Sequence, residues 1–422
     1  MTRTSWWIVL LLALAPAGAG AQEDSALVAA LRANRHALRM DAAGRLEGPG
    51  ARVLLEAGRA SQFFLVGEEH GIAEVPRLTG ALFRELAPAG YGHLAVETGD
   101  ALAVALNRAA AGPDAVGGMR RFLDDNWPGA PFFDQREEAD LLATAVAAAG
   151  GRTDAVWGLD YDILVDRYAL SRLREIAPTP AARDAADRVR AAADSLLRRA
   201  LAERNPGFIF SFSDQRHLAD ELRAAYRPAP GSEADRIIEE IEQTLRVNVL
   251  WGEGRGYESN LERSLVMKSR FMRRWREAAA GGDTPRVMFR FGANHMQRGR
   301  TPIGIFDLGT AVHELAEMNG GRAFGLLTVP GRGTRRSALD PRDMTYVPAP
   351  PDPSAWAKPL HDLAEPEGWT VYDLRPLRAP IMAGTLDNLS PALTRVIFGF
   401  DAVVVLTGST PSTLLRSAAP PR

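Results

Sequence analysis

The sequence predicts an α/β fold: a central, mostly parallel sheet flanked by helices, with a large helical insertion capping the crevice at the carboxyl ends of the strands. Three observations predict it. Short, nearly continuous apolar runs alternate with helical patterns along the chain. Several runs read as strands buried on both faces, the habit of parallel sheets. Residues 166–280 break the alternation, because they are helical in pattern almost throughout.

The elements follow in chain order. Arg3 gives a short positive region, Trp6 to Ala15 is apolar, and Ala19-Gly20-Ala21 is a small-x-small site. That pattern predicts a secretory signal peptide over 1–21, cut after Ala21, and hence a periplasmic or secreted protein. No later segment reaches the roughly 18 consecutive apolar residues of a membrane span, so no stable membrane insertion is expected after cleavage. Residues 22–422 are then one α/β domain. Its predicted strands are Phe63–Val66, His93–Val96, Ala155–Leu159, Arg286–Phe291, Ala323–Val329, Trp369–Leu374 and Ala402–Leu406. Helical patterns cover Val75–Leu86, Ala101–Ala110, Gln135–Ala149, Arg167–Ile176 and Gly309–Met318, and His36 falls in an N-terminal helix. Within the insertion, Ala181–Glu203 sets Ala185, Val189, Ala192, Leu196 and Ala200 on one face. Ile237–Leu250 and Tyr257–Ala279 continue it, after a Pro/Gly break at Arg227–Ser232. Residues 330–368, rich in Pro, Gly and Arg, read as a loop-rich surface excursion.

Composition narrows the chemistry. The 422 residues are 46% hydrophobic and 24% charged, ordinary for a globular protein, and the formal charge of −2 supplies no basic field for nucleic acid. There is no cysteine, which excludes disulfides, thiolate metal sites and a cysteine nucleophile. The only lysines are Lys268 and Lys358, so a Schiff-base lysine is excluded almost everywhere. No G-x-S-x-G elbow, P-loop or G-x-G-x-x-G is present. His313-Glu314 is half of H-E-x-x-H, but Glu317 stands where the second histidine would be, so that helix reads as scaffold.

Four predicted strands run directly into polar clusters. They are Gly67-Glu68-Glu69-His70-Gly71, Glu97-Thr98-Gly99-Asp100, Asp160-Tyr161-Asp162 and Gly292-Ala293-Asn294-His295. Ligand sites in parallel sheets lie beyond the carboxyl ends of the strands. If the strands are adjacent and parallel, Glu68, His70, Glu97, Asp160 and His295 share one crevice. Two of the seven histidines occupy the same G-x-x-H context, where each could act as a general base or a metal ligand. Carboxylates beside them could orient the ring, activate water or complete a metal site. His70, Glu97 and His295, with Glu68 as the other nearby carboxylate, would suit a divalent manganese, cobalt or zinc ion. Arg263 shares a stripe with Met267 and Arg270, and is the arginine expected to reach the crevice. His93 reads as a rim residue, and His217 and His361 as surface or loop positions.

The string Val66-Gly67-Glu68-Glu69-His70-Gly71-Ile72-Ala73-Glu74, with Glu97 and Gly292-Ala293-Asn294-His295, resembles the erythromycin esterase/Tiki/ChaN superfamily. The erythromycin esterase-like branch is the nearest. Val156–Asp162, the helix from Arg263 to Met267 and Gly292–Gly299 resemble it in order and spacing, so the likeness spans about 55–330. It implies an α/β hydrolase in which His70 activates water against an ester, lactone or related bond. Glu68 and Glu74 would stand beside His70, Glu97 would be the second-strand glutamate, and His295 the second-motif histidine. Together with Arg263 these are the expected catalytic residues, and Asp160, Tyr161 and Asn294 the expected substrate contacts. A small molecule or peptide is the expected substrate, and no cofactor is required. Other branches imply alternatives: a metal-dependent peptidase, or a haem, iron or small-ligand binder.

Overall fold

The computed structural model describes residues 25–282, 284–350 and 354–416. The expected signal peptide lies outside them. The first elements are α1 (Ser25–Ala33), β1 (Arg35–Met40), β2 (Leu46–Glu47), α2 (Pro49–Arg59), β3 (Phe63–Glu68), α3 (Glu74–Leu86) and β4 (Tyr91–Val96). There follow α4 (Asp100–Ala110), α5 (Ala115–Asp125), α6 (Arg136–Ala148) and β5 (Val156–Gly158). Five helices then run without a strand: α7 (Asp166–Glu175), α8 (Pro180–Glu203), α9 (Arg216–Tyr226), α10 (Glu233–Gly252) and α11 (Gly256–Ala279). The chain returns to the sheet in β6 (Arg286–Gly292), α12 (Ala293–Met296), α13 (Leu308–Met318) and β7 (Ala323–Pro330). It ends with a ribbon of β8 (Arg335–Arg336) and β9 (Pro348–Ala349), then α14 (Lys358–Leu363), β10 (Trp369–Asp373), α15 (Arg378–Met382), α16 (Pro391–Gly399) and β11 (Ala402–Leu406).

Nine strands form one sheet in the order β2-β1-β10-β11-β7-β3-β6-β4-β5. The six from β11 to β5 are parallel, and β10, β1 and β2 extend the other edge antiparallel. Successive side chains of β3 go to opposite faces. Phe64 and Val66 join a core with α2, α3, α4 and α6, while Phe63 and Leu65 join one with α1, α11, α13 and α16. Both faces are thereby covered, which explains the apolar runs.

The insertion has a core of its own, built from Ala186, Val189, Leu222, Tyr226, Ile238 and Ile241 among others. On α8 the buried band passes through Ala185, Val189, Ala193, Leu197 and Ala200. Ala192 and Leu196, expected in it, sit at its border. The α9–α10 break matches the chemistry of its residues. Arg227 takes φ 43°, and the Ser232 side chain caps α10 by accepting from Asp235 N–H.

Two expectations are corrected. His36 lies on strand β1, opposite Val371, and not on a helix. Arg and His dilute the apolar pattern of β1, and its partner β10 lies at the far end of the chain. His93 is buried, not at the rim: its Nδ1–H donates to the Asp154 carbonyl at 3.0 Å, and its ring lies on Trp157. Among the described residues no helix is long and apolar enough to cross a membrane.

Candidate active site

Parallel register assembles the site. Glu68, the last residue of β3, pairs with Gly292, the last of β6. Val96 of β4 pairs with Arg290 of β6 and Gly158 of β5, so Glu97 and Asp160 emerge at the same end. Past Glu68 the chain must turn back under the β8 segment. Gly71 does so at φ 84°, where a Cβ would lie 2.2 Å from the Arg336 carbonyl oxygen, so only glycine fits.

His70 sits between two carboxylates. Its Nδ1–H donates to Glu68 Oε1 at 2.7 Å, and its Nε2 lies 3.5 Å from Glu97 Oε2. Phe132 stacks on the ring at 4.3 Å between centroids. His295 mirrors the arrangement. Its Nδ1–H donates to Asp307 Oδ2 at 2.7 Å, and its Nε2 lies 3.6 Å from Glu97 Oε1. Asp307 is fully buried and caps α13 through Leu308 N–H. Glu97 also accepts from Gly292 N–H at 2.5 Å and from Arg263 Nη2 at 2.7 Å. Arg263 continues to Asp160, with Nε donating to Oδ1 at 2.9 Å, and its guanidinium lies over the Tyr161 ring at 5.0 Å.

The electrostatics follow from these contacts. Burial alone would lower the His70 pKa, but the Glu97 charge and the Glu68 hydrogen bond raise it to about 10. Burial and the Arg263 cation oppose protonation of His295, yet Asp307 and Glu97 outweigh them and its pKa is raised. Burial would raise Glu97, but His70 and His295 hold it well below the usual carboxylate range. At neutral pH the His70 ring is therefore held as an imidazolium between Glu68 and Glu97, and His295, its pKa raised, faces the same Glu97 carboxylate.

The structure brings together Glu68, His70, Glu97, Asp160, Arg263 and His295, with Tyr161 against Arg263 and half-buried Asn294 on α12 beside His295. Glu74 does not join them. Its carboxylate accepts from Thr410 N–H at 2.9 Å and from Thr410 Oγ1 at 2.7 Å. It opens α3, so the helix turns it toward the C-terminal segment. The reading as a catalytic neighbour of His70 gives way to a fastening role. Arg263 reaches the crevice, where its Nε and Nη2 donate to Asp160 and Glu97 and so hold Glu97 in place.

Sequence reasoning missed four contributors. Asp307 could have been found as an acidic cap ahead of an apolar helix, 12 positions after His295. Arg290 was hidden inside an apolar strand. Its Nη2 donates to Glu68 Oε1 at 2.6 Å and to Glu138 Oε1 at 2.5 Å, and burial pushes the Glu138 carboxyl up against the pull of Arg290. Phe132 and Glu138 gave no local signal.

His70, Glu97 and His295 do not form an open metal set. Both Glu97 oxygens already accept hydrogen bonds, one from a guanidinium, and among the described residues no group of three or more His, Asp or Glu side chains is placed to hold a metal ion.

Gly309 offers a test of how the second histidine is held. It sits against α12, where a Cβ would fall 2.3 Å from the Met296 carbonyl oxygen. Gly309→Ala should displace α12 and His295 and lower unfolding free energy by about 1–3 kcal/mol, read from urea denaturation. An unchanged midpoint would mean that α12 yields freely.

The sequence matches no protein-family model, and no curated protein matches it. Solved structures do. An erythromycin esterase mutant, EreC, in its open conformation superposes with a TM-score of 0.56 at 16% identity, covering 86% of this chain and 95% of that one. A Bacillus cereus protein gives 0.57 at 15% identity, covering 92% and 98%. A succinoglycan biosynthesis protein gives 0.58 at 12% identity, covering 94% and 100%. The α/β architecture expected from the G-x-x-H resemblance is thus the architecture present, and the chain shares its fold with an erythromycin esterase.

Proposed function

We propose that the protein is an exported hydrolase of the erythromycin esterase-like type, acting on an ester, lactone or related bond of a small molecule or peptide. The observation that carries this reading is the imidazole of His70, fixed at Nδ1 by Glu68 with Nε2 turned toward the crevice and Glu97. In its neutral form His70 takes a proton from water at Nε2 as the water oxygen attacks the carbonyl carbon. The Nε2–H of His295 imidazolium donates to the developing oxyanion. His70 then returns the proton to the leaving oxygen. Glu68 sets the tautomer, and Arg263 keeps Glu97 in place. The shared fold with EreC supports the hydrolytic reading, the pattern of residues 1–21 supports export, and the formal charge of −2 supplies no basic field for nucleic acid.

The raised pKa of His70 gives a signed expectation. A base must be unprotonated, and this one is protonated below about pH 10. The rate on an ester panel should therefore climb about tenfold per pH unit from neutrality, and turn down where the His295 imidazolium loses its proton. A profile that is flat between pH 6 and 8 would assign the base to another group. EDTA should leave the activity intact. Loss restored by manganese, cobalt or zinc would replace this reading with a metal-dependent one.

A further inference from the structure

The loop between α5 and α6 holds two non-glycine residues with left-handed backbones, Ala130 at φ 57° and Phe132 at φ 70°. A bulky residue persists there only where its surroundings over-determine it, and such residues cluster at functional sites. The surroundings here are three segments distant in sequence. Arg167 of α7 donates from Nε to the Trp127 carbonyl at 3.0 Å. Tyr346, from the excursion, accepts from Phe132 N–H at 3.5 Å and donates to Asp134 at 3.0 Å. The C-terminal segment adds Arg416 Nε to Asp134 Oδ2 at 2.7 Å and Leu415 N–H to the Asp134 carbonyl at 2.8 Å. The same segment donates Ser412 N–H to the Gly71 carbonyl at 3.0 Å, so one strap ties this loop to the loop that carries His70. The product of these restraints is a single placement: the half-buried Phe132 ring stacked on His70, with 26° between planes.

We propose that Phe132 is a positioning residue for His70, its ring closing one face of the imidazole and holding it in the plane that points Nε2 into the crevice. Glu68 holds the Nδ1 edge closely at 2.7 Å, but Glu97 stands off from Nε2 at 3.5 Å, so tilting of the ring about its Cβ–Cγ bond is the loosest motion, and the stacked face opposes it. Tyr346 acts on the same ring at one remove. The kinetic consequence rests on the hydrolytic reading above, whereas the placement of His70 does not.

The test compares the full chain with Phe132→Ala, Phe132→Tyr and Tyr346→Phe. The His70 ring protons, assigned by their loss in His70→Ala, should move downfield and broaden in Phe132→Ala, because the shielding face is gone and the ring reorients. Phe132→Tyr should restore sharp, shielded signals, and Tyr346→Phe should shift them partway. On an ester that the parent hydrolyses, kcat should fall by about tenfold to a hundredfold in Phe132→Ala with KM little changed, as expected for a misaligned base. If Phe132→Ala does not fold, Phe132→Leu keeps the bulk without the ring and carries the same readouts. His70 protons unmoved in the folded variant, or an unchanged kcat, would overturn the proposal. A parent inactive on every ester tried would overturn the hydrolytic reading alone, and the proton signals would still decide the placement.

Discussion

His70→Ala should lower kcat/KM on an ester or lactone that the parent hydrolyses by about 10²–10⁴-fold, the usual contribution of a general base. The fold should survive. Glu68 keeps its partner in Arg290 at 2.6 Å, and Glu97 keeps Arg263 and Gly292 N–H. Circular dichroism and urea midpoints near the parent's would therefore accompany the loss. Added imidazole should recover part of the rate at alkaline pH, because it can occupy the vacated space and carry the proton. Parent-level activity in the variant would remove His70 from the mechanism. A loss with no imidazole rescue and a collapsed midpoint would mark it as structural.

Glu97→Ala should be the most destabilising single change in the crevice. Glu97 is the anion on which His70, His295 and Arg263 converge, and it also satisfies Gly292 N–H. Its removal leaves the Arg263 and His70 cations facing His295 without their shared anion, and a backbone donor unpaired. Removing one partner of a buried ion pair costs about 3–5 kcal/mol. Glu97→Gln keeps an acceptor for Gly292 and should cost less. Urea unfolding at neutral pH reads both. The His70 pKa should fall from its raised value in either variant, because the Glu97 charge is the main force raising it. Arg263→Ala combined with Glu97→Ala should destabilise less than the sum of the single changes, since the pair shares one interaction. Additive losses would mean that the contact carries little energy.

Much of this site was legible in the chain. Strand-end polarity marked Glu68, Glu97, Asp160 and His295 because parallel strands deliver their carboxyl ends to one edge, and a turn of glycine plus polar residues at that edge has little other use. Arg263 was legible from helical spacing. Glu74 is near His70 in sequence but not joined to it in space, because the first turn of α3 sends its carboxylate to Thr410. Arg290 was passed over because a charged residue inside an apolar run looks like dilution, and only the neighbouring strand and α6 supply the carboxylates that make it tolerable there.

The sequence by itself determined the alternation of strand and helix, the helical insertion, the exclusion of cysteine chemistry, and the two histidines that follow strands in a G-x-x-H context beside carboxylates. These are properties of local pattern and residue type, which the chain carries at every position. The tertiary structure alone decided the partners. That Glu97 is shared by two imidazoles and that Phe132 covers His70 depend on contacts across tens to hundreds of residues, and that Glu68 and Asp307 each hold one ring depends on how the turns after β3 and before α13 fold back. Such contacts leave no periodicity to read, because they arise from strand register and helix packing rather than from spacing along the chain.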